Sequence, residues 1–527
     1  MTLRNTALYP FLLAPVRVLS FAANNPGAFS VGDLLLVLGA TVTLVAAIYA
    51  LAALLLRGRL KGTPPALVTF LVVAWLFVGP GVAEWLSHAG YQFPPFVLPA
   101  TGTLGSVLLI HGLARRPYVL GAGASFLTVT YSILVIWLAI DIAMDRKRSR
   151  NQVAESALAK DLAVPVPTSA PPSLPIRSIY VIVLDEYANG AVLREVLGFD
   201  NRPFEDSLRA LGFHIPASVR SNYTHTSLSI PSLLNGAHMD RVQRELPPGS
   251  TDPTLPNHLL ATNRAARFLQ SRGYRYVFFP SSWWHATRGS PIADSVVDVD
   301  PTLSPARELS RTDFRRVVWQ STMMAYLHHD AGGDGEIVRG TLEGIGRLPS
   351  IPEPVFAVAH VVSPHSPYVF DRLCRARPHL WHREPASYLA QLQCLNAMLL
   401  ETVTHLIRDS HIAPVIVLQG DHGTAFREYS KAPSTLQVPA AAARERFGAF
   451  GAYYLPNGGE AAFGDSVTVV NVMGHVLRRY FSADLPYEPD EHYLSLERSP
   501  FDFRRVDRAW LSVADSLDRV ASRVEAR

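Results

Sequence analysis

Five apolar stretches before residue 145 constrain this chain more than any other feature of it: roughly 7–22, 34–56, 66–86, 96–113 and 119–142. A helix crossing a bilayer needs about 20 apolar residues in a row. The second and fifth stretches meet that length, and the third and fourth fit it. The first is short and is broken by Pro10, Pro15 and Arg17. A cleaved signal peptide ending near 21–23 is the alternative there, but an internal arginine and two prolines do not suit its apolar region. A retained helix is therefore expected. The loops after the second and fourth stretches carry Arg57, Arg59, Lys61, Arg115 and Arg116, whereas those after the first and third carry no Lys or Arg. Basic loops stay in the cytoplasm, so the N-terminus is expected inside and everything after the fifth stretch outside. The basic run Arg146, Lys147, Arg148 and Arg150 opposes this, but large domains translocate largely regardless of such charge. The expectation is a multi-pass protein of the cell's inner (cytoplasmic) membrane with an extracytoplasmic domain.

The rest of the chain has the composition of a water-soluble globular protein. Residues 1–145 read as the membrane domain, 146–175 as a juxtamembrane segment and linker, and 176–527 as a catalytic domain. Residues 151–163 suit a short helix. Residues 165–175 hold five prolines and read as an extended, semi-rigid spacer. A formal net charge of +4 over 527 residues gives no case for nucleic-acid binding. The two cysteines, Cys374 and Cys394, exclude a cysteine-built zinc site and a disulfide framework. An extracytoplasmic location permits one bridge between them; the alternative is two free thiols.

In the second half, short apolar runs alternate with helical patterns. Strands are expected at 179–184, 276–279, 355–362, 415–418 and 452–455, and helices at 191–197, 204–211, 258–272, 387–408 and 467–480. That order predicts a mostly parallel sheet covered by helices on both faces. The run that begins with the strand 415–418 stops at Gly420, Asp421, His422 and Gly423. Ligands of open α/β sheets bind outside the carboxyl ends of strands, and glycines on either side let the backbone turn and approach closely. Two other runs end in reactive groups, 179–184 in Asp185 and Glu186, and 355–362 in a segment containing His365. Two Asp and one His converging there suit a divalent ion such as zinc, manganese, magnesium or calcium. Residues 221–236 are crowded with hydroxyls and run into a helix near Ser227. A hydroxyl at such a helix start sits in the positive end of the dipole, where an anionic group also binds. The alternative is that it only caps the helix.

Asp-Glu after a first strand, a hydroxyl-rich helix start, a central His-x-Pro-Tyr and a late Asp-His-Gly resemble, in that order, the sulfatase and alkaline-phosphatase superfamily. The whole-chain layout is similar to two of its branches, the lipoteichoic acid synthases and the lipid A phosphoethanolamine transferases. The resemblance implies an α-helical membrane domain followed by an α/β alkaline-phosphatase-like domain. It implies Asp185, Asp421 and His422 as metal ligands, and Thr226 as both ligand and nucleophile. His365 would contact the transferred group or the leaving oxygen, and His360 would assist in binding substrate. Thr224 and Ser227 rival Thr226. Two departures stand out. The Cys/Ser-x-Pro-x-Arg sequence of sulfatases is absent, which argues against classical sulfate-ester hydrolysis. The two branches usually have Glu where this chain has Asp185, and Glu186 offers itself instead.

The implied function is a metal-dependent transferase that takes a phospho-alcohol group from a membrane lipid donor to an envelope glycan or lipid acceptor. The alternatives are a phosphodiesterase, phosphatase or sulfuric ester hydrolase of the same fold, and a non-catalytic envelope protein that keeps it.

Overall fold

The computed structural model describes residues 8–56, 65–88, 101–102, 104–106, 109–110, 112, 117–170, 174–281, 287, 289–297, 299, 312–323, 333–380 and 384–511. Two compact units emerge. One holds the described residues of Met1–Arg150 and Leu303–His329, the other those of Asn151–Thr302 and Asp330–Arg527.

Among the described residues, three helices are long and apolar enough to cross a membrane: Val31–Leu56, Pro65–Val82 and Gly121–Glu155. The helix Tyr9–Ala23, at 15 residues, is shorter. The expected fourth span, 96–113, lies mostly outside the described residues, as do Arg57, Arg59, Lys61, Arg115 and Arg116. Leu35, Leu54, Leu55, Phe126, Ile133 and Trp137 are exposed on these helices. Apolar surface on this scale needs a non-aqueous neighbour, which a bilayer supplies. The helix Asp313–Gln320 comes from the second half of the sequence yet belongs to the first unit. Its Phe314 and Val318 join the core formed by Val18, Leu19 and Leu34. Its Arg315 Nε pairs with the buried Asp33 carboxylate at 2.7 Å.

The second unit is an α/β domain. Its strands are β1 (Ile179–Leu184), β2 (Phe213–His214), β3 (Ser218–Arg220), β4 (Arg275–Phe279), β5 (Ser295–Val296), β6 (Val355–Val361), β7 (Tyr368–Phe370), β8 (Ala376–Leu380), β9 (Val415–Gly420), β10 (Gly451–Tyr454), β11 (Ser466–Thr468), β12 (His492–Leu496) and β13 (Ser499–Val506). Seven of them form the central sheet in the order β2-β10-β9-β1-β6-β4-β5. From β9 through β5 all pairings are parallel. The strand expected at 452–455 is present but runs antiparallel to β9. A buried apolar run carries no mark of direction, so its sequence does not show this.

Every residue of β1 is buried, and successive side chains serve opposite faces, as pleating requires. Tyr180, Ile182 and Leu184 pack with Leu342, Leu395 and Val403 from the helices Gly333–Gly346 and Pro385–Asp409. Ile179, Val181 and Val183 pack with Ile230, Phe268 and Val476 from helices on the other face. This two-sided cover is why the strands read as continuous apolar runs.

The expected helix 258–272 is two helices, Thr254–Ala261 and Arg264–Gln270. Asn263 breaks it: its Oδ1 accepts the Ala266 N–H at 2.9 Å and starts the second helix. The expected helix 467–480 begins as strand β11, paired with β3, and becomes helical at Val469. The described part of the proline-rich linker is extended and is also pinned to the domain. Ser169 N–H donates to the Ser482 carbonyl at 3.0 Å, and the Asp484 N–H to the Pro167 carbonyl at 2.9 Å.

Cys374 and Cys394 form a disulfide with Cα atoms 5.0 Å apart, tying the β7–β8 turn to the helix Pro385–Asp409. Thiol labelling of the unreduced, denatured protein should therefore find none, and two after reduction. Closing a loop of this length should stabilise the domain by about 3 kcal/mol under the chain-entropy model. Two labelled thiols before reduction would contradict the bridge.

Candidate functional site

Register places the site. Leu184, the last residue of β1, lies opposite Val361 of β6 and Gly420 of β9. The carboxyl ends of three adjacent strands thus finish level, and Asp185, the segment leading to His365, and Asp421-His422 emerge side by side. The ladder continues briefly past the strands: Asp185 N–H donates to the Val361 carbonyl at 3.0 Å, and Asp421 N–H to the Leu184 carbonyl at 3.2 Å.

Both glycines around Asp421 and His422 are required by close backbone approach. A Cβ at Gly420 would run into the Tyr187 carbonyl, and one at Gly423 into the Glu445 carbonyl. The polar turn is therefore wedged between two other segments.

Asp185, Asp421 and His422 are all buried, and one ligand atom from each lies within 4.8 Å of the others. Asp421 Oδ1 accepts the backbone N–H of Glu186 at 3.0 Å and of His422 at 2.8 Å. Its Oδ2 faces His422 Nε2 at 3.2 Å, and Asp185 Oδ1 lies 3.9 Å from the same nitrogen. Asp185 Oδ1 and Asp421 Oδ2 accept no hydrogen bond among the described residues although both are buried. Buried anionic oxygens without donors are costly unless a cation serves them. His422 Nδ1 lies 3.1 Å from the Gly423 carbonyl, to which only the Nδ1–H tautomer can donate. That leaves Nε2 as the acceptor, with Thr226 Oγ1 at 3.1 Å and Arg446 Nη2 at 3.2 Å beside it. The donor set of two carboxylates and an imidazole fits a divalent ion.

The electrostatics agree. Burial alone would raise the Asp185 carboxyl, but His365, His360 and His422 outweigh it and hold Asp185 well below the usual carboxylate range. Burial, reinforced by the Asp185 charge, pushes Asp421 well above that range. Two carboxyls facing each other split in this way when no cation lies between them. Burial, then Arg446, keeps the His422 imidazole neutral, the form that ligates.

Thr226 opens the helix Thr226–Asn235. Ile230 and Leu233 of that helix pack beneath the sheet, which sets its first turn at the strand ends. Thr226 Oγ1 lies 3.1 Å from His422 Nε2. The N-cap is His225, with no side-chain cap bond, so Thr226 does not cap the helix. Thr224 is fully buried and its hydroxyl donates to the Ser495 carbonyl at 3.0 Å, away from the cluster. No hydrogen bond of the Ser227 side chain to the cluster is found among the described residues.

His360 is buried on β6, with Nε2 3.4 Å from Asp185 Oδ2 and Nδ1 3.0 Å from Thr287 Oγ1. His365 N–H donates to the Asp185 carbonyl at 3.1 Å, and its own carbonyl accepts from Gln391 Nε2 at 2.8 Å. Glu186 sits at φ 61°, which turns it away from Asp185. Its carboxylate pairs with Arg446 Nη1 at 2.8 Å. Of the two acids at this strand end, Asp185 faces the cluster.

Arg446 is the site residue that the sequence does not reveal. It is one of two arginines in the helix Ala440–Phe447, and only the fold brings it to the Asp-His-Gly turn.

No known family model matches this chain, and no curated protein does. Among solved structures, the chain is similar to the integral membrane lipooligosaccharide phosphoethanolamine transferase A (EptA) from Neisseria meningitidis. The two are 12% identical with a TM-score of 0.41, over 91% of this chain and 94% of that one. It is also similar to the C-terminal periplasmic domain of EptC from Escherichia coli, at 12% identity and TM-score 0.41, over 66% of this chain and 96% of that one. A third likeness is to an alkaline phosphatase superfamily protein from Vibrio parahaemolyticus, at 12% identity and TM-score 0.40, over 65% and 77%.

If the cluster holds a cation, binding and stability are linked. Zinc or manganese at about a hundred times its dissociation constant should stabilise the fold by roughly 2.7 kcal/mol, read as a higher melting temperature that chelator reverses. Asp421→Asn should abolish the shift, because a neutral amide is a poor substitute for an anionic ligand. An unchanged shift in Asp421→Asn would place the cation elsewhere.

Proposed function

We propose that this chain is a membrane-anchored, divalent-metal-dependent transferase of the sulfatase and alkaline-phosphatase type. It moves a phospho-alcohol group from a lipid donor to an envelope glycan or lipid, with Thr226 as the nucleophile. The observation that carries this reading is the Thr226 hydroxyl, 3.1 Å from His422 Nε2 at the start of a helix and beside two carboxylates with unserved oxygens. The ion, held by Asp185, Asp421, His422 and the Thr226 oxygen, would lower the pKa of that hydroxyl and offset charge on the phosphoryl group.

The chain's own residues supply the rest. The Thr226 hydroxyl first ionises, releasing its proton to water; the Oγ1 anion then attacks phosphorus, and a bond from phosphorus to threonine oxygen forms as the bond to the lipid oxygen breaks. The lipid oxygen takes a proton and leaves as an alcohol; His365, next to Asp185, supplies the proton. In the second half an acceptor hydroxyl gives its proton to His365 and attacks phosphorus, and the Thr226 oxygen leaves. The positive end of the helix dipole at Thr226 favours the anionic group throughout. His360, fixed by Thr287, holds Asp185 in orientation. The apolar helices support a lipid donor, which is met at a bilayer surface, and the loop charges support an extracytoplasmic domain.

Thr226→Ala should reduce headgroup transfer from a membrane lipid by at least about a thousandfold, as for a nucleophile acting within a unit, with little change in melting temperature. Thr226→Ser should retain part of the activity. Near-normal turnover in Thr226→Ala would exclude Thr226 as nucleophile. Release of free headgroup in place of transfer would make the enzyme a hydrolase.

The topology has its own test. A reporter fused after residue 527 should be active only in a form that works outside the cytoplasm; activity of a cytoplasm-only reporter would overturn the orientation.

A further inference from the structure

Arg446 is 4% exposed, and its side chain reaches all three chain segments that carry the cluster. Nε donates to the Thr224 carbonyl at 2.9 Å, two residues before the nucleophile. Nη1 donates to Glu186 Oε1 at 2.8 Å, next to Asp185, and to the Gly423 carbonyl at 3.0 Å. Nη2 lies 3.2 Å from His422 Nε2. The backbone adds a reciprocal bond, with Gly423 N–H donating to the Arg446 carbonyl at 2.8 Å. The Gly423 carbonyl also accepts from His422 Nδ1, so the group that selects the imidazole tautomer is itself held by the guanidinium.

From these contacts we infer that Arg446 is a positioning residue for the metal cluster and the nucleophile, acting through Glu186, Gly423 and Thr224. Resting on the reading above, the inference concerns which residue sets that site's geometry. A planar fork with donors in fixed directions can hold three segments at once; an ammonium on a flexible stem cannot. The pair with Glu186 leaves the frame electrically neutral, so the two unserved carboxylate oxygens keep their attraction for a cation. A residue needed only to fill space would be apolar here, because a buried ion pair is seldom more stabilising than well-packed hydrophobic side chains.

The test uses the full-length protein in detergent and measures Zn²⁺ affinity by competition with a chromophoric chelator, then turnover at saturating Zn²⁺. Arg446→Met alone takes the arginine charge away from the buried Glu186 carboxylate and is expected to unfold readily. Glu186→Gln with Arg446→Met removes the pair at constant net charge. Loss of such a supporting contact is expected to weaken Zn²⁺ binding by about 10–100-fold and to lower turnover at saturating Zn²⁺ by a similar factor. Arg446→Lys keeps the buried cation but loses the fork. It should also weaken Zn²⁺ binding, whereas a purely structural cation would be replaced without loss. Zn²⁺ affinity within twofold of wild type in Arg446→Lys, or in the folded double variant, would overturn the inference. Failure of the wild-type protein itself to bind Zn²⁺, Mn²⁺, Mg²⁺ or Ca²⁺ would instead overturn the metal-dependent reading on which it rests.

Discussion

Two carboxylates brought face to face in the interior are the constraint on which the functional end of this domain depends. The sheet forces the encounter. β1 and β9 are neighbours in parallel register, and each is followed directly by an Asp, so Asp185 and Asp421 emerge together whatever their charges prefer. The interior offers them few donors. The Asp421 oxygen used by backbone N–H groups is satisfied, while one oxygen of each acid is not. Their opposite pKa shifts express the same conflict. A divalent ion would resolve it, and the neutral His422 imidazole would complete a donor set for one.

Much of this is legible in the sequence because burial on both faces of a parallel sheet leaves long apolar runs. The strands 179–184 and 415–418 are unmistakable, and the polar groups that follow them mark the candidate site. The Asp-His-Gly turn is legible for a second reason: glycines beside charged residues at a strand end imply close backbone approach, and the Glu445 and Tyr187 carbonyls provide it. What is not legible depends on contacts distant in sequence. Asn263 divides one amphipathic pattern into two helices through a single side-chain bond. The reversed direction of β10 is set by its neighbours. Glu186 and Asp185 look interchangeable until backbone geometry turns one toward Arg446. Arg446 lies 24 residues beyond His422, in a helix whose composition gives it no distinction.

The membrane half shows the same division. Its apolar helices follow from hydropathy alone. The assignment of Asp313–Gln320 to that unit does not, because nothing in an eight-residue amphipathic pattern says what it will pack on. The Arg315–Asp33 pair is its chemical anchor. A carboxylate with 1% exposure at the start of an apolar helix would be costly without that arginine.

The proposed transfer turns on one oxygen atom, that of Thr226. Mass spectrometry of the purified protein after incubation with membrane phospholipids, followed by proteolysis, tests it most directly. A phospho-alcohol adduct is expected on the peptide containing Thr226, dependent on a divalent ion and missing from Thr226→Ala. An adduct on Thr224 or Ser227, or one that persists in Thr226→Ala, would contradict it.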